Sequence, residues 1–428
     1  MAESKLITII GGGVIGCAIA YEIARKTNHE VALVDKQPIT RAKNQSSHNS
    51  GVIHAGIYYS KHQMPLKAEL CVRGNQMLYA FCAKHGIPHK KTGKLIVATN
   101  QQEEQYLDDV ERIARENGAP IQRLTAEEAR RYEPNVNVSA ALLAPTSGIV
   151  YTPAFMEKLF YLLKGSDNVY GDMLNTSGGY EVLEIKPKGS KFEVTATINA
   201  RGDVTSWDTD VVINSAGLYS DEIAKMINLE SSYEIDPVRG EAYRFYKTKR
   251  DDIWHEGLNV YPAPYGMYED GTRARVEFDE FQKLLEAGDV FKTVGVHLTP
   301  TFEMDPKTGE CLYDEGTGEY ALGKTVTVGP AFVGGVEKDD YMTSVPSKFF
   351  FDNVHDFFPN LVGRGSEDGD LQLYDAGIMA RLKGHLDYVM EHDKKYENFY
   401  NLLGMDSPGL TSSFAIAERI VEQYVKGL

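Results

Sequence analysis

A run of mostly β-branched residues, Leu6-Ile7-Thr8-Ile9-Ile10, leads into Gly11-x-Gly13-x-x-Gly16 and then into a helix-compatible stretch from Val14 to Lys26. Val31-Ala32-Leu33-Val34-Asp35 reads as a second strand. Together these make a βαβ unit of about 30 residues, the context in which a glycine fingerprint becomes specific. Such a unit requires a parallel sheet. Gly11 permits the tight turn, Gly13 lets the backbone approach a pyrophosphate, and Gly16 lets the helix pack closely on the strand. The turn Gly13-Val14-Ile15-Gly16 is therefore expected to cradle phosphates. Asp35, followed by Lys36, stands where a carboxylate can accept hydrogen bonds from an adenosine ribose.

A second glycine-punctuated run follows, Ser47-His48-Asn49-Ser50-Gly51-Val52-Ile53-His54-Ala55-Gly56-Ile57-Tyr58-Tyr59. It sets a titratable imidazole beside the segment where the reactive end of a redox cofactor should lie. Residues 63–86 have the spacing of one helix, Gly93 to Thr99 reads as a strand entering another layer, and residues 101–117 form an acidic amphipathic helix. Asp210 to Gly217 is another buried parallel-type strand, ending at Ala216 and Gly217, with a helix from Ser220. Beyond Pro237 come strands with long polar excursions, at 265–291 and 305–323. Near the end, Asp406-Ser407-Pro408-Gly409-Leu410-Thr411 precedes an apolar-periodic helix, so Gly409, Leu410 and Thr411 can turn backbone N–H groups toward an anion or carbonyl.

An all-parallel nicotinamide domain would close within about 150 residues, whereas these segments return to the first sheet late in the chain. Flavin is thus favoured over nicotinamide. The expected fold is α/β, with a discontinuous Rossmann-like part (1–86, 141–225 and 371–428) and a mixed-sheet α+β substrate part (87–140 and 226–370).

The 428 residues suffice for a large core, and 45 basic against 61 acidic residues give a formal charge of −16, which argues against nucleic acid as a partner. Cys17, Cys71, Cys82 and Cys311 have neither zinc-site nor disulfide-framework spacing, so no metal is expected. The N-terminus runs straight into a strand with no export or import signal, and no apolar stretch approaches the ~20 residues of a transmembrane helix. A cytoplasmic location is expected.

The chain resembles the D-amino-acid-oxidase-like flavoproteins, which have a glutathione-reductase-like fold, and among them the L-2-hydroxyglutarate dehydrogenases and oxidases. The resemblance covers the fingerprint, the Ser47 to Tyr59 run, Lys67-Ala68-Glu69-Leu70-Cys71, Thr92 to Ala98, Ser215 to Asp221, Val238-Arg239-Gly240-Glu241, Asn259-Val260-Tyr261-Pro262 and Gly295 to Pro300. Glycerol-3-phosphate oxidases share the histidine run. The resemblance implies FAD bound between the two parts and oxidation of a secondary alcohol, most simply an L-2-hydroxy acid. It implies His54 as the base for the hydroxyl proton, His297 as a second polar group, and Tyr261 as pocket wall or hydroxyl donor. His54 could instead only hydrogen-bond the flavin or backbone, and His297 could only satisfy a core hydrogen bond.

Two positions depart from the family pattern. Thr301 and Met379 stand where arginines are expected, so a small anionic substrate needs another cation: Arg381 is the leading candidate, with Lys383, Arg239 and Lys94 as others. Glycerol 3-phosphate or amino-acid oxidation, and flavin binding without turnover, are the alternatives. Oxygen, a quinone or a protein all remain open as electron acceptor.

Overall fold

A computed structural model describes residues 3–40, 42–171, 179–198, 202–268, 273–274, 276–362 and 369–428. The expected βαβ unit is present: strand Leu6–Ile10, helix Val14–Lys26 and strand Glu30–Val34. Leu6–Ile10 lies inside a five-stranded sheet, parallel to Glu30–Val34 on one side and to Val211–Asn214 on the other. Phe399–Leu403 adds a further parallel strand beyond Val211–Asn214, and Val389–His392 closes the edge antiparallel. The central strands are buried at nearly every position, which is why they read as continuous apolar runs instead of alternating.

The second sheet has eight strands in the order Gln372–Leu382, Ile235–Tyr246, Leu322–Val333, His297–Phe302, Asn259–Pro262, Lys94–Ala98, Ala140–Ala144 and Gln122–Thr125. It is mixed, with the Asn259–Pro262 strand parallel to Lys94–Ala98 among antiparallel neighbours. Gln372–Leu382 thus pairs with Ile235–Tyr246, and Ala140–Ala144 with Lys94–Ala98 and Gln122–Thr125, within this sheet. The chain first returns to the five-stranded sheet at Val211 and finally at Val389.

The 305–323 excursion contains a small hairpin, Tyr313–Asp314 with Glu319–Tyr320, tied back by Tyr320 donating its hydroxyl to the Gly86 carbonyl. The 265–291 excursion contributes Tyr265–Met267 and helix Phe278–Ala287; residues 269–272 and 275 of it lie outside the described residues. A three-stranded antiparallel sheet, Tyr180–Lys188, Lys191–Ile198 and Asp203–Thr209, precedes the Val211–Asn214 strand and has no counterpart in the sequence reading.

Two helices hold the reactive segment from behind. Pro65–His85 begins with proline in its first turn, and the Asp387 carboxylate accepts from the Leu66 and Lys67 amides (2.8 and 2.9 Å), satisfying two of the donors a helix start leaves open. Helix Gly409–Gln423 packs along it. They approach closely at Gly74, where any side chain would run into the Thr411 backbone. Gly74→Ala is expected to destabilise the protein by about 1–3 kcal/mol, the usual cost of overpacking, and to weaken FAD retention. Thermal unfolding and the flavin content of the purified variant check this.

Candidate active site

Between the two sheets lies a cavity of ≈ 1690 Å³, well above the roughly 300–1,000 Å³ of an ordinary small-molecule site. It has room for a dinucleotide and a substrate together. Its walls contain Gly11, Gly13, Val14, Ile15, Asp35, Lys36, the whole of Ser47 to Val52, Ala216, Gly217, Gly409 and Leu410. Segments hundreds of residues apart therefore meet at one cavity. Gly16 and Thr411 stand just behind the wall. A side chain at Gly16 would collide with the Gly11 carbonyl, while Thr411 Oγ1 accepts from the His54 amide at 3.0 Å.

The glycine turn fits a pyrophosphate. Gly11 has φ +106°, a conformation that favours glycine, and its amide donates to the Val34 carbonyl at 2.8 Å. Helix Val14–Lys26 aims its first turn into the cavity, with the Val14 amide donating to Ser46 Oγ at 2.8 Å. Asp35 Oδ2 accepts from the Gly12 amide at 2.7 Å and Oδ1 from Gln37 at 2.9 Å, so this carboxylate also braces the turn. Burial pushes its pKa up, and those two amides and Lys36 oppose the rise. The Lys36 ammonium lies 3.1 Å from the Tyr219 ring centroid. Ser47 Oγ meets His48 Nδ1 at 2.9 Å, and the His48 ring tilts against Tyr341 at 5.3 Å.

The structure brings His54, His297 and Tyr261 to the same cavity. The backbone of His54 is held at both ends, because Asn75 also donates to its carbonyl at 2.9 Å. Its Nε2 lies 3.3 Å from Ser407 Oγ, which is 3.5 Å from the Tyr59 hydroxyl. Asp406, the neighbour of Ser407, is fixed by an ion pair with Lys67 at 2.6 Å. His297 Nδ1 lies 2.9 Å from the Gly295 carbonyl, which can only accept; Nδ1 therefore carries the proton and Nε2 is left as the basic nitrogen. Tyr261 stacks on His297 at 3.7 Å and 17°. The Lys94 ammonium sits 3.6 Å from the same ring's centroid, buried, with no carboxylate partner among the described residues.

The charges set the protonation. Burial lowers His54 well below an ordinary histidine, and Lys94 and His297 lower it further. Burial, then Lys94, brings His297 to about 3, opposed by its bond to Gly295. Burial likewise brings Lys94 to about 7. Both imidazoles are neutral at physiological pH, the form able to accept a proton.

Among the other cations weighed from the sequence, Arg239 is buried and engaged by Glu241 and Asp340, and Lys383 is exposed and paired with Glu234. Arg381 lines the cavity with its guanidinium 5.7 Å from the Phe332 ring centroid. Sequence reasoning passed over Ser46, Asn75, Ser407 and Arg244. Ser46 and Ser407 adjoin or lie within segments it had singled out, whereas Asn75 and Arg244 carried no local signal.

A fold of this kind, with a glycine turn and an imidazole pair facing one another across a shared cavity, defines a nucleotide-binding flavoenzyme. The model of the FAD dependent oxidoreductase (DAO) family matches residues 7–423, and the chain belongs to that family. The chain is similar to the mitochondrial L-2-hydroxyglutarate dehydrogenase of Arabidopsis thaliana, at 30% identity over 100% of this chain and 85% of that one. It is also similar to the L-2-hydroxyglutarate dehydrogenase of Indibacter alkaliphilus, at 29% identity over 98% of each. The solved L-alpha-glycerophosphate oxidase of Mycoplasma pneumoniae with FAD bound shares the fold, with a TM-score of 0.73 and 24% identity over 98% of this chain and 94% of that one. The protein is an FAD-dependent oxidoreductase, as its residues led one to expect.

Neutral burial of His297 has a thermodynamic consequence. Its pKa is about 3 when folded and near 6.5 when unfolded, so below 6.5 the unfolded chain takes up a proton that the native protein refuses. The stability this group contributes is present above pH 6.5 and is lost as pH falls from there toward 3. Thermal denaturation followed from pH 7 to pH 4 is expected to show a fall in Tm that is shallower in His297→Asn than in the wild type.

Proposed function

We propose that the protein oxidises an L-2-hydroxy acid to the 2-oxo acid, with L-2-hydroxyglutarate as the preferred substrate. Bound FAD supplies the acceptor for the hydride leaving the substrate's hydroxyl-bearing carbon. The observation that carries this reading is the pair of neutral imidazoles, His54 and His297, presented to one cavity beside Tyr261. Oxidising an alcohol requires a base for the hydroxyl proton, and a neutral imidazole provides one. His54 is that base in this reading. Ser407 orients its Nε2, and the amide and carbonyl contacts to Thr411 and Asn75 keep the ring from drifting. His297, its tautomer set by Gly295, accepts a second substrate hydrogen bond, while Tyr261 forms the wall between it and Lys94.

The relatives named for L-2-hydroxyglutarate support the choice of substrate. The substrate is a small anion, and its alignment needs a cation in the cavity. Among the described residues no helix is long and apolar enough to cross a membrane. The four cysteines are all unpaired, which supports the expected reducing, cytoplasmic compartment.

Anaerobic mixing of the FAD-loaded protein with L-2-hydroxyglutarate, L-lactate, glycerol 3-phosphate and amino acids tests the proposal through loss of oxidised-flavin absorbance. L-2-hydroxyglutarate is expected to bleach the flavin. His54→Ala is expected to slow that bleaching by roughly 10²- to 10⁴-fold with FAD still bound, the range for a lost general base. Reduction by glycerol 3-phosphate or an amino acid alone would overturn the substrate class, and an unchanged rate in His54→Ala would remove the base from this residue.

A further inference from the structure

Arg244 sits on strand Ile235–Tyr246, opposite Thr327, and Thr327 in turn sits opposite Thr299. Directly opposed residues share one face of a sheet, and on the Thr299 strand that face also carries His297. Arg244, Thr327, Thr299 and His297 accordingly all line the cavity. His297 pairs with Gly329, and a Cβ on Gly329 would lie 3.0 Å from the Ala242 Cα, so the row of His297 crosses the sheet to Ala242. Arg244 is one step along the same face, two strands over. At ordinary spacings this is about 10 Å across and about 7 Å along, backbone to backbone. Side chains standing off one face of the sheet at that separation leave between them room for a short-chain acid.

The guanidinium of Arg244 has no ion-pair partner among the described residues. Its neighbours are aromatic rings, with Cζ 5.4 Å from the Tyr374 centroid and 5.8 Å from that of Tyr246. Its Nε is buried and has no hydrogen-bond partner among the described residues. A buried donor left unsatisfied is costly, and a planar cation flanked by rings with unused N–H groups is suited to taking a carboxylate bidentately. The rival cations are less well placed. Arg239 and Lys383 are committed to carboxylates, and Lys94 packs on Tyr261 without lining the cavity. Arg381 stands opposite Asp236 in the strand register, about 20 Å along the strand from Ala242.

We infer that Arg244 holds the second, distal carboxylate of a 2-hydroxy diacid and so makes the site select diacids over monoacids. This rests on the 2-hydroxy acid reading above. It also answers the absence of arginine at Thr301 and Met379. Thr301 turns its hydroxyl to the Thr325 carbonyl and is not available as an anchor, while the cation enters from the neighbouring face position of another strand.

The test is calorimetric titration of the oxidised, FAD-loaded protein with 2-oxoglutarate and with 2-oxovalerate, which has the same chain length and ends in a methyl group. The wild type is expected to favour 2-oxoglutarate by on the order of 100-fold, the scale of two charge-assisted hydrogen bonds. Arg244→Met should abolish that preference while leaving 2-oxovalerate affinity unchanged, Arg244→Lys should keep part of it, and Arg381→Met should keep all of it. Retention of the full preference in both Arg244 variants overturns the assignment, as does an equal loss of both ligands in a variant that retains FAD. Loss of the preference in Arg381→Met instead transfers the role to Arg381. Should Arg244→Met fail to retain FAD, the partial preference of Arg244→Lys decides. A wild type that binds neither oxo acid defeats the 2-hydroxy acid reading itself, and this assignment with it.

Discussion

The hydrogen bond from the His54 amide to Thr411 Oγ1 joins a loop near the start of the chain to the first turn of its last helix, and the geometry of the site depends on it. Gly74 lets helix Pro65–His85 approach Thr411 closely, and Asn75 on the same helix holds the His54 carbonyl. Two helices thus fix the loop backbone on both sides of a single residue. Because an imidazole can act as a base only in the right place, rigid backbone on both sides of His54 substitutes for contacts its ring would otherwise need.

The opposite wall works differently. The eight-stranded sheet presents a face whose polar residues recur at every second position, His297, Thr299 and Thr301 on one strand and Thr325 and Thr327 on the next. Such a face would be poorly suited to a packed core. Here it borders a cavity, and the polar groups are either bonded laterally, as Thr327 to the Thr299 carbonyl, or left toward the interior, as Arg244 Nε. The same sheet buries Leu95, Val97, Val260, Leu298, Val326 and Val328 on its other side. The alternation of the strands therefore divides the sheet into a structural face and a chemical one.

Electrostatics follow from this division. Lys94 is buried on the Tyr261 ring without a counter-ion among the described residues, and desolvation together with its field keeps His54 and His297 unprotonated. A site that receives an anion and a proton benefits from cations at its margin and neutral bases at its centre. The overall charge of −16 does not bear on this, because remote surface charge is screened within about 8 Å at physiological salt.

Much of the protein was legible in the chain itself. The glycine spacing at Gly11, Gly13 and Gly16, the apolar strands around it and the His48 to His54 run are local signals, since each depends on the backbone freedom, periodicity or titration of residues adjacent in sequence. They were enough to determine the parallel first sheet, the dinucleotide turn and the histidine segment. The partners of those residues were not legible. Which cation faces the imidazoles depends on strand order and register, which set Arg381, the leading candidate from the chain, about 27 Å along one sheet from Arg244, a residue with no local signal. Ser407 reaches His54 across 353 residues, and Asn75 faces the same loop only because one helix packs against another. Register and packing are properties of pairs of distant segments, so the tertiary structure alone decided them.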